Sequence, residues 1–112
     1  VYDKRNSAFV NYGVALCKYT GSGGKGGASD ASAEVVGKVR KLFNDHGVVY
    51  QTSELGKVDL GGGGTVAAYI ANLNVDTIDV GVPVLCMHAP FEIVSKVDVY
   101  MTYKAFYCFL YE

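Results

Sequence analysis

The chain has no tryptophan, two prolines, two histidines and three cysteines in 112 residues. Each scarcity closes something off. Cys17, Cys86 and Cys108 are odd in number and far apart, with no Cys-x-x-Cys pair. Neither a disulfide framework nor a thiolate zinc site is therefore expected. Each cysteine reads as a small apolar residue in a strand or helix, with a reactive thiol as the minor alternative. No apolar run approaches the roughly 20 residues that cross a bilayer, and no secretory leader pattern is visible, so an intracellular, cytoplasmic, soluble protein is expected. A formal charge of −1, with Lys4-Arg5 and Lys38, Arg40 and Lys41 scattered, offers nucleic acid and anionic membrane no basic stripe. A Gly-x-Ser-x-Gly elbow is also missing, which removes the usual signal for serine–histidine hydrolysis.

What the chain does have is apolar residues (50%) and 14 glycines. That apolar content suffices for one modest core, hence a single domain over residues 1–112 with no internal repeat or linker. The start, Val1-Tyr2-Asp3-Lys4, reads as mid-loop, so a piece of something longer is expected.

Strand and helix alternate along the chain. Val14 to Tyr19 is a short, mostly apolar run that suggests a buried strand. Asp30 or Ser29 is placed to cap a helix with Glu34 in its first turns and Val35, Val36, Val39, Leu42 and Phe43 along one face. Gly47 stops it. A second strand is expected at Val48–Gln51, and a second helix at Thr65–Leu73 with Val66, Ile70 and Leu73 inward. Strands near Thr77–Val80 and from Pro83 or Val84 to Met87 follow. A last helix begins around Pro90, a residue suited to a first helical turn. Asp98 is a candidate cap for a second segment of it, with Val97, Met101, Phe106 and Leu110 as core. Tyr100, Tyr103, Tyr107 and Tyr111 read as core and interface packing. The expected class is a three-layer α/β/α sandwich.

The glycines fall mainly in two runs, Gly21–Gly27 and Gly61–Gly64. The first lacks the P-loop pattern, because Gly26 stands where a magnesium-binding hydroxyl belongs, and reads as a surface connection. The second runs into Thr65 and a helix start, where unpaired N–H groups could meet a ligand; a tight turn without a ligand role is the plain alternative.

Histidine is the scarcest candidate for chemistry. His46 lies at a helix end, where a surface imidazole is favoured by the dipole. His88 instead follows the apolar run Val84-Leu85-Cys86-Met87 and precedes Ala89-Pro90. That puts it at the carboxyl edge of the strands, where α/β folds bind ligands. Taken alone it is either a metal ligand, a base or a satisfied core histidine. Glu92 is either a solvated carboxylate or the acceptor that orients His88.

Five segments occur in order: Lys18-Tyr19-Thr20-Gly21, Ser29-Asp30-Ala31-Ser32-Ala33-Glu34, Glu54-Leu55-Gly56-Lys57-Val58-Asp59-Leu60-Gly61-Gly62-Gly63-Gly64-Thr65, Met87-His88-Ala89-Pro90-Phe91-Glu92, and Tyr100-Met101-Thr102-Tyr103-Lys104-Ala105-Phe106. Together they resemble the C-terminal part of the aspartyl aminopeptidase and vacuolar aminopeptidase I family, cocatalytic dizinc enzymes. The resemblance implies that His88 is one zinc ligand, with Ala89 where some members have serine. It implies that Glu92 supports His88 from behind. It implies that Gly62, Gly63, Gly64 and Thr65 border the substrate cleft, and that Lys18 lies near the pocket for the substrate's first side chain. The remaining zinc ligands, the bridging aspartate and the glutamate base are implied to lie upstream of Val1; Asp3, Asp30 and Asp59 do not match them. No catalytic residue is thus expected in this chain, which alone should not turn over.

The implied partners are a peptide substrate, the rest of the same enzyme, and sister subunits in a homo-oligomer as large as a dodecamer. Zinc is the implied metal, two per complete subunit, with no nucleic acid and no membrane. A non-catalytic truncated module that binds peptide or a partner stays open beside the enzyme reading.

Overall fold

The computed structural model describes residues 4–20, 29–54 and 64–111. Its order is β1 (Val14–Cys17), β2 (Tyr19–Thr20), β3 (Ser29–Asp30), α1 (Ala33–Asp45), β4 (Tyr50–Ser53), α2 (Ala67–Ala71), β5 (Asp79–Gly81) and α3 (Lys96–Tyr111). β1 is central, parallel to β4 with Val14 opposite Tyr50, and antiparallel to β5 with Leu16 opposite Val80. β2 and β3 form a separate small hairpin.

All four residues of β1, the central strand, are buried. Alternation sends Val14 and Leu16 to one face, where they pack with Val39 and Phe43 of α1 and Ala105 and Cys108 of α3. Burial of a side chain such as Leu16, which is 1% exposed, stabilises by roughly 1.5–3 kcal/mol. Ala15 and Cys17 face the other way and line a cavity.

The mixed α/β class is as expected, but the three-layer sandwich is not seen among the described residues. α1 and α3 share one sheet face, and the opposite face opens onto that cavity. α1 keeps its expected apolar face, yet its cap is Ser32, whose Oγ accepts from the Val35 amide at 3.2 Å. Ser29 and Asp30 are instead taken by β3. Gly47 ends the helix in the left-handed region (φ +68), and His46 Nδ1 lies 2.8 Å from the Leu42 carbonyl of the last turn. β4 starts two residues later than expected. α2 is a short turn whose buried residue is Ala67, leaving Val66, Ile70 and Leu73 exposed.

The largest departures are at the end of the chain. Residues 84–87 do not form a strand; only Leu85 bridges to Ile93, because Cys86 and His88 take left-handed backbone that ends extended pairing. The turn and bend between these two bridge partners occupy residues 86–91, so α3 begins at Lys96 rather than Pro90. α3 then runs unbroken to Tyr111, and its packed face is Asp98, Thr102, Ala105 and Cys108. Val97, Phe106 and Leu110 are exposed and Met101 is half-buried. Exposure also overturns the apolar reading of Cys86, whereas Cys17 and Cys108 are buried as expected.

Asp98 is fully buried and caps no second helical segment. Its carboxylate oxygens accept from the amides of Asn11 (2.6 Å) and Gly13 (2.8 Å), fastening α3 to the turn that enters β1. Thr102 Oγ1 donates back to the Asp98 carbonyl at 2.8 Å. Hydrogen bonds to a charged acceptor contribute about 1.5–3 kcal/mol each, and loss of this one would orphan two donors. Asp98→Ala in the complete protein is therefore expected to cost about 3 kcal/mol or more, measured by denaturant unfolding; an unchanged midpoint would refute the fastening role.

Gly13 sits at φ +95, and a Cβ there would lie 2.3 Å from the Val49 carbonyl oxygen. That oxygen cannot retreat cheaply, since it accepts from Val14 N at 3.1 Å at the head of the parallel pair. Gly13→Ala is expected to be severely destabilising. Gly37→Ala, in open space within α1, is expected to stabilise by about 0.5–1 kcal/mol. Thermal melts of the two variants side by side check the contrast.

Candidate functional site

Parallel β1 and β4 end at Cys17 and Ser53, and antiparallel β5 begins at Asp79 on the same edge. A cavity of about 670 Å³ occupies this edge, walled by Cys17, Ser53, Glu54, Thr65 and Asp79 and by residues 80–87, which lead to His88. Cys17 Sγ and Ser53 Oγ are 3.6 Å apart across the strand pair. Thr65 Oγ1 donates to Asp79 Oδ2 at 3.0 Å and accepts from the Ala67 amide at 3.2 Å. One hydroxyl thus ties a residue just before the start of α2 both to the edge strand and to the first helical amide. Gly64 beside it is exposed. Gly62 and Gly63 lie outside the described residues, as does the Gly21–Gly27 run.

His88 rides on a closed loop. Leu85 and Ile93 exchange backbone hydrogen bonds at 2.9 and 3.2 Å at its base. Within it the Ala89 amide donates to the Cys86 carbonyl at 3.0 Å, which makes Met87 and His88 the central pair of a turn. His88 has φ +70 and Cys86 φ +61. A positive φ at the third position marks a type II geometry, where glycine is usual. For a residue with a Cβ the left-handed region costs roughly 1–2 kcal/mol, although histidine visits it more readily than most. Glu92 Oε1 accepts from the His88 main-chain amide at 2.5 Å. Glu92 thus meets His88 at its backbone and not at the ring it was expected to orient.

The His88 side chain is exposed, and its imidazole makes no hydrogen bond to another described residue. Such a ring can supply one metal ligand. Among the described residues no group of three or more His, Cys, Asp or Glu is gathered that could hold a metal ion.

Lys18 lies just past β1, where its Nζ meets Asp30 Oδ1 at 2.5 Å with both side chains substantially exposed. That pairing joins the residue between β1 and β2 to β3 and partly answers the ammonium charge. Lys18 is not on the cavity wall. Ser53, Glu54 and Asp79 are on it and were not singled out from the sequence. The rule that ligands gather at strand carboxyl ends points to Ser53 and Glu54 once β4 is placed. Asp79 carries no such signal, because nothing local announces that β5 runs antiparallel.

The family model described as aminopeptidase I zinc metalloprotease (M18) matches residues 1–110. A "Probable M18 family aminopeptidase 1" of Thermotoga maritima is 52% identical over 106 residues, covering 95% of this chain and 24% of its own length. Its namesake in Borreliella burgdorferi is 49% identical over 110 residues, covering 96% of this chain and 24% of its own length. The crystal structure of an M18-family aminopeptidase from Thermotoga maritima superimposes with a TM-score of 0.91 at 51% identity, over 96% of this chain and 24% of that one. That of aminopeptidase I from Clostridium acetobutylicum gives 0.92 at 48% identity, over 98% and 24%. The chain thus spans about a quarter of the length of the relatives it matches.

The double hydrogen bonding of Thr65 leads to a direct expectation. Thr65→Val should cost about 2 kcal/mol in the complete protein, at roughly 1 kcal/mol for each lost bond, while Thr65→Ser retains most of the stability. Urea unfolding of the two variants checks it; a larger loss in Thr65→Ser than in Thr65→Val would show that the methyl group, not the hydroxyl, matters.

Proposed function

Because this chain belongs to the aminopeptidase I zinc metalloprotease (M18) family, we propose that it is the C-terminal portion of a catalytic domain that removes acidic or neutral N-terminal residues from peptides. The observation that carries the reading is the exposed, unbonded imidazole of His88 at the tip of a tied loop, next to Met87 on the cavity wall. His88 supplies one zinc ligand through a neutral ring nitrogen. Zinc, when bound, polarises the scissile carbonyl and acidifies water.

The rest of this chain's part is binding and enclosure. The cavity receives the substrate's terminal portion, between the end of β1 and the segment before His88. Thr65 stands on the wall of that cleft, and Gly62, Gly63 and Gly64 before it would offer backbone amides to the peptide. Lys18, steadied by Asp30, biases the entrance toward an acidic side chain. The general base and the other ligands come from the remaining three quarters of the polypeptide, and a peptide bond is cut only in that assembly. The partners are accordingly the peptide, the rest of the same enzyme, and sister subunits of a homo-oligomer.

Metal analysis and turnover of the full-length protein on aspartyl and leucyl chromogenic substrates test this reading. About two zinc ions per subunit with chelator-sensitive activity are expected. Loss of a tuning partner alone costs 10–100-fold, so His88→Ala should lower kcat by at least about 100-fold and release metal. A metal-free, inactive full-length protein would favour the non-catalytic peptide-binding module instead.

A further inference from the structure

We infer that Glu92 is the positioning residue of the His88 loop, acting on the main chain of the ligand rather than on its ring. This rests on the reading of His88 as a metal ligand. A residue that orients a ligating histidine ordinarily accepts from the second ring nitrogen. Here the carboxylate is spent elsewhere: Glu92 Oε1 accepts from the His88 amide at 2.5 Å. That amide belongs to a residue at φ +70, the conformation least able to hold itself in place when a side chain is present.

The surrounding bonds leave this as the contact that decides where the ring projects. The Leu85–Ile93 bridge closes the base of the loop, and the Ala89–Cys86 bond closes the turn. Neither fixes the peptide plane between Met87 and His88, which turns over in passing between type I and type II geometry. The Glu92 carboxylate does fix it, since only one orientation points the His88 N–H at it. Through the Cα of His88 that plane sets the direction of the imidazole. Glu92 is also held from its other side, because Ile93, the next residue, is half of the bridge. The loop is thereby shaped before any metal arrives.

The test uses the full-length protein with three changes at Glu92. A carboxamide oxygen still accepts from an amide, so Glu92→Gln keeps the hydrogen bond; Glu92→Ala removes it, and Glu92→Asp is too short to span it. Zinc affinity by chelator competition is expected to fall 10–100-fold for Ala and Asp and to stay within about threefold for Gln. The visible spectrum of the cobalt-substituted protein should shift for Ala and Asp alone, and kcat should fall with KM little changed. Should Glu92→Ala prove unable to fold, Glu92→Asp carries the same readouts.

Wild-type affinity and spectrum in both Ala and Asp would overturn the inference. So would a Gln variant as impaired as Ala, since charge rather than the hydrogen bond would then be at work. His88→Ala separates the two levels: if it retains full metal affinity, the ligand reading itself fails. If it loses metal while Glu92→Ala does not, only the positioning role falls.

Discussion

The buried carboxylate of Asp98 is the constraint on which the rest of this structure depends. Two amides from the turn before β1 converge on it, from a residue at φ +76 and from the glycine at φ +95. A charge this deep is tolerated only with such donors. In satisfying it, the chain sets the register at which β1 enters the sheet and the depth at which α3 packs on it. The same turn reaches the histidine loop, since Ser95 Oγ donates to Asn11 Oδ1 at 3.0 Å just beyond Ile93. One acidic side chain thus organises the core strand, the long helix and the root of the loop that carries His88.

Asp98 also shows what local pattern cannot convey. Seen as sequence, an aspartate near a helix start is a cap, because caps are the commonest local use of that side chain. Its actual partners lie 85 and 87 residues away. The same limit explains the misplaced face of α3. Lys96–Tyr111 is apolar almost all round, so periodicity offers no single face and favours large residues, whereas the packed ones are Asp98, Thr102, Ala105 and Cys108. α1 was legible because its charges leave only one face free for Val39 and Phe43. β1 was legible as a wholly apolar run between breakers.

At the candidate site the split follows the same line. His88, Thr65 and Lys18 were found through motifs, and the structure puts Thr65 on the cavity wall and His88 one residue beyond Met87, which lines it, while pairing Lys18 with Asp30. The strand expected before His88 failed for a backbone reason. Two left-handed residues within three positions are invisible in residue type when neither is glycine. Ser53, Glu54 and Asp79 depend on strand order and direction, which is tertiary information.

The apolar surface of α3 bears on why a quarter of a relative's length folds as it does here. Tyr100, Tyr103, Tyr107 and Tyr111 form a ladder with ring centroids 6.3, 6.0 and 4.8 Å apart along one side of the helix. Each is more than half exposed, as are Phe91, Leu85 and Ile93 around the histidine loop. An exposed apolar face of this extent is uncommon on a self-sufficient domain. The polar bonds, by contrast, are local to the chain: the Asp98 clamp, the Thr65–Asp79 tie and the Glu92–His88 contact. Hydrophobic burial is therefore the part of the stability this chain leaves incomplete, and loop geometry is the part it specifies by itself.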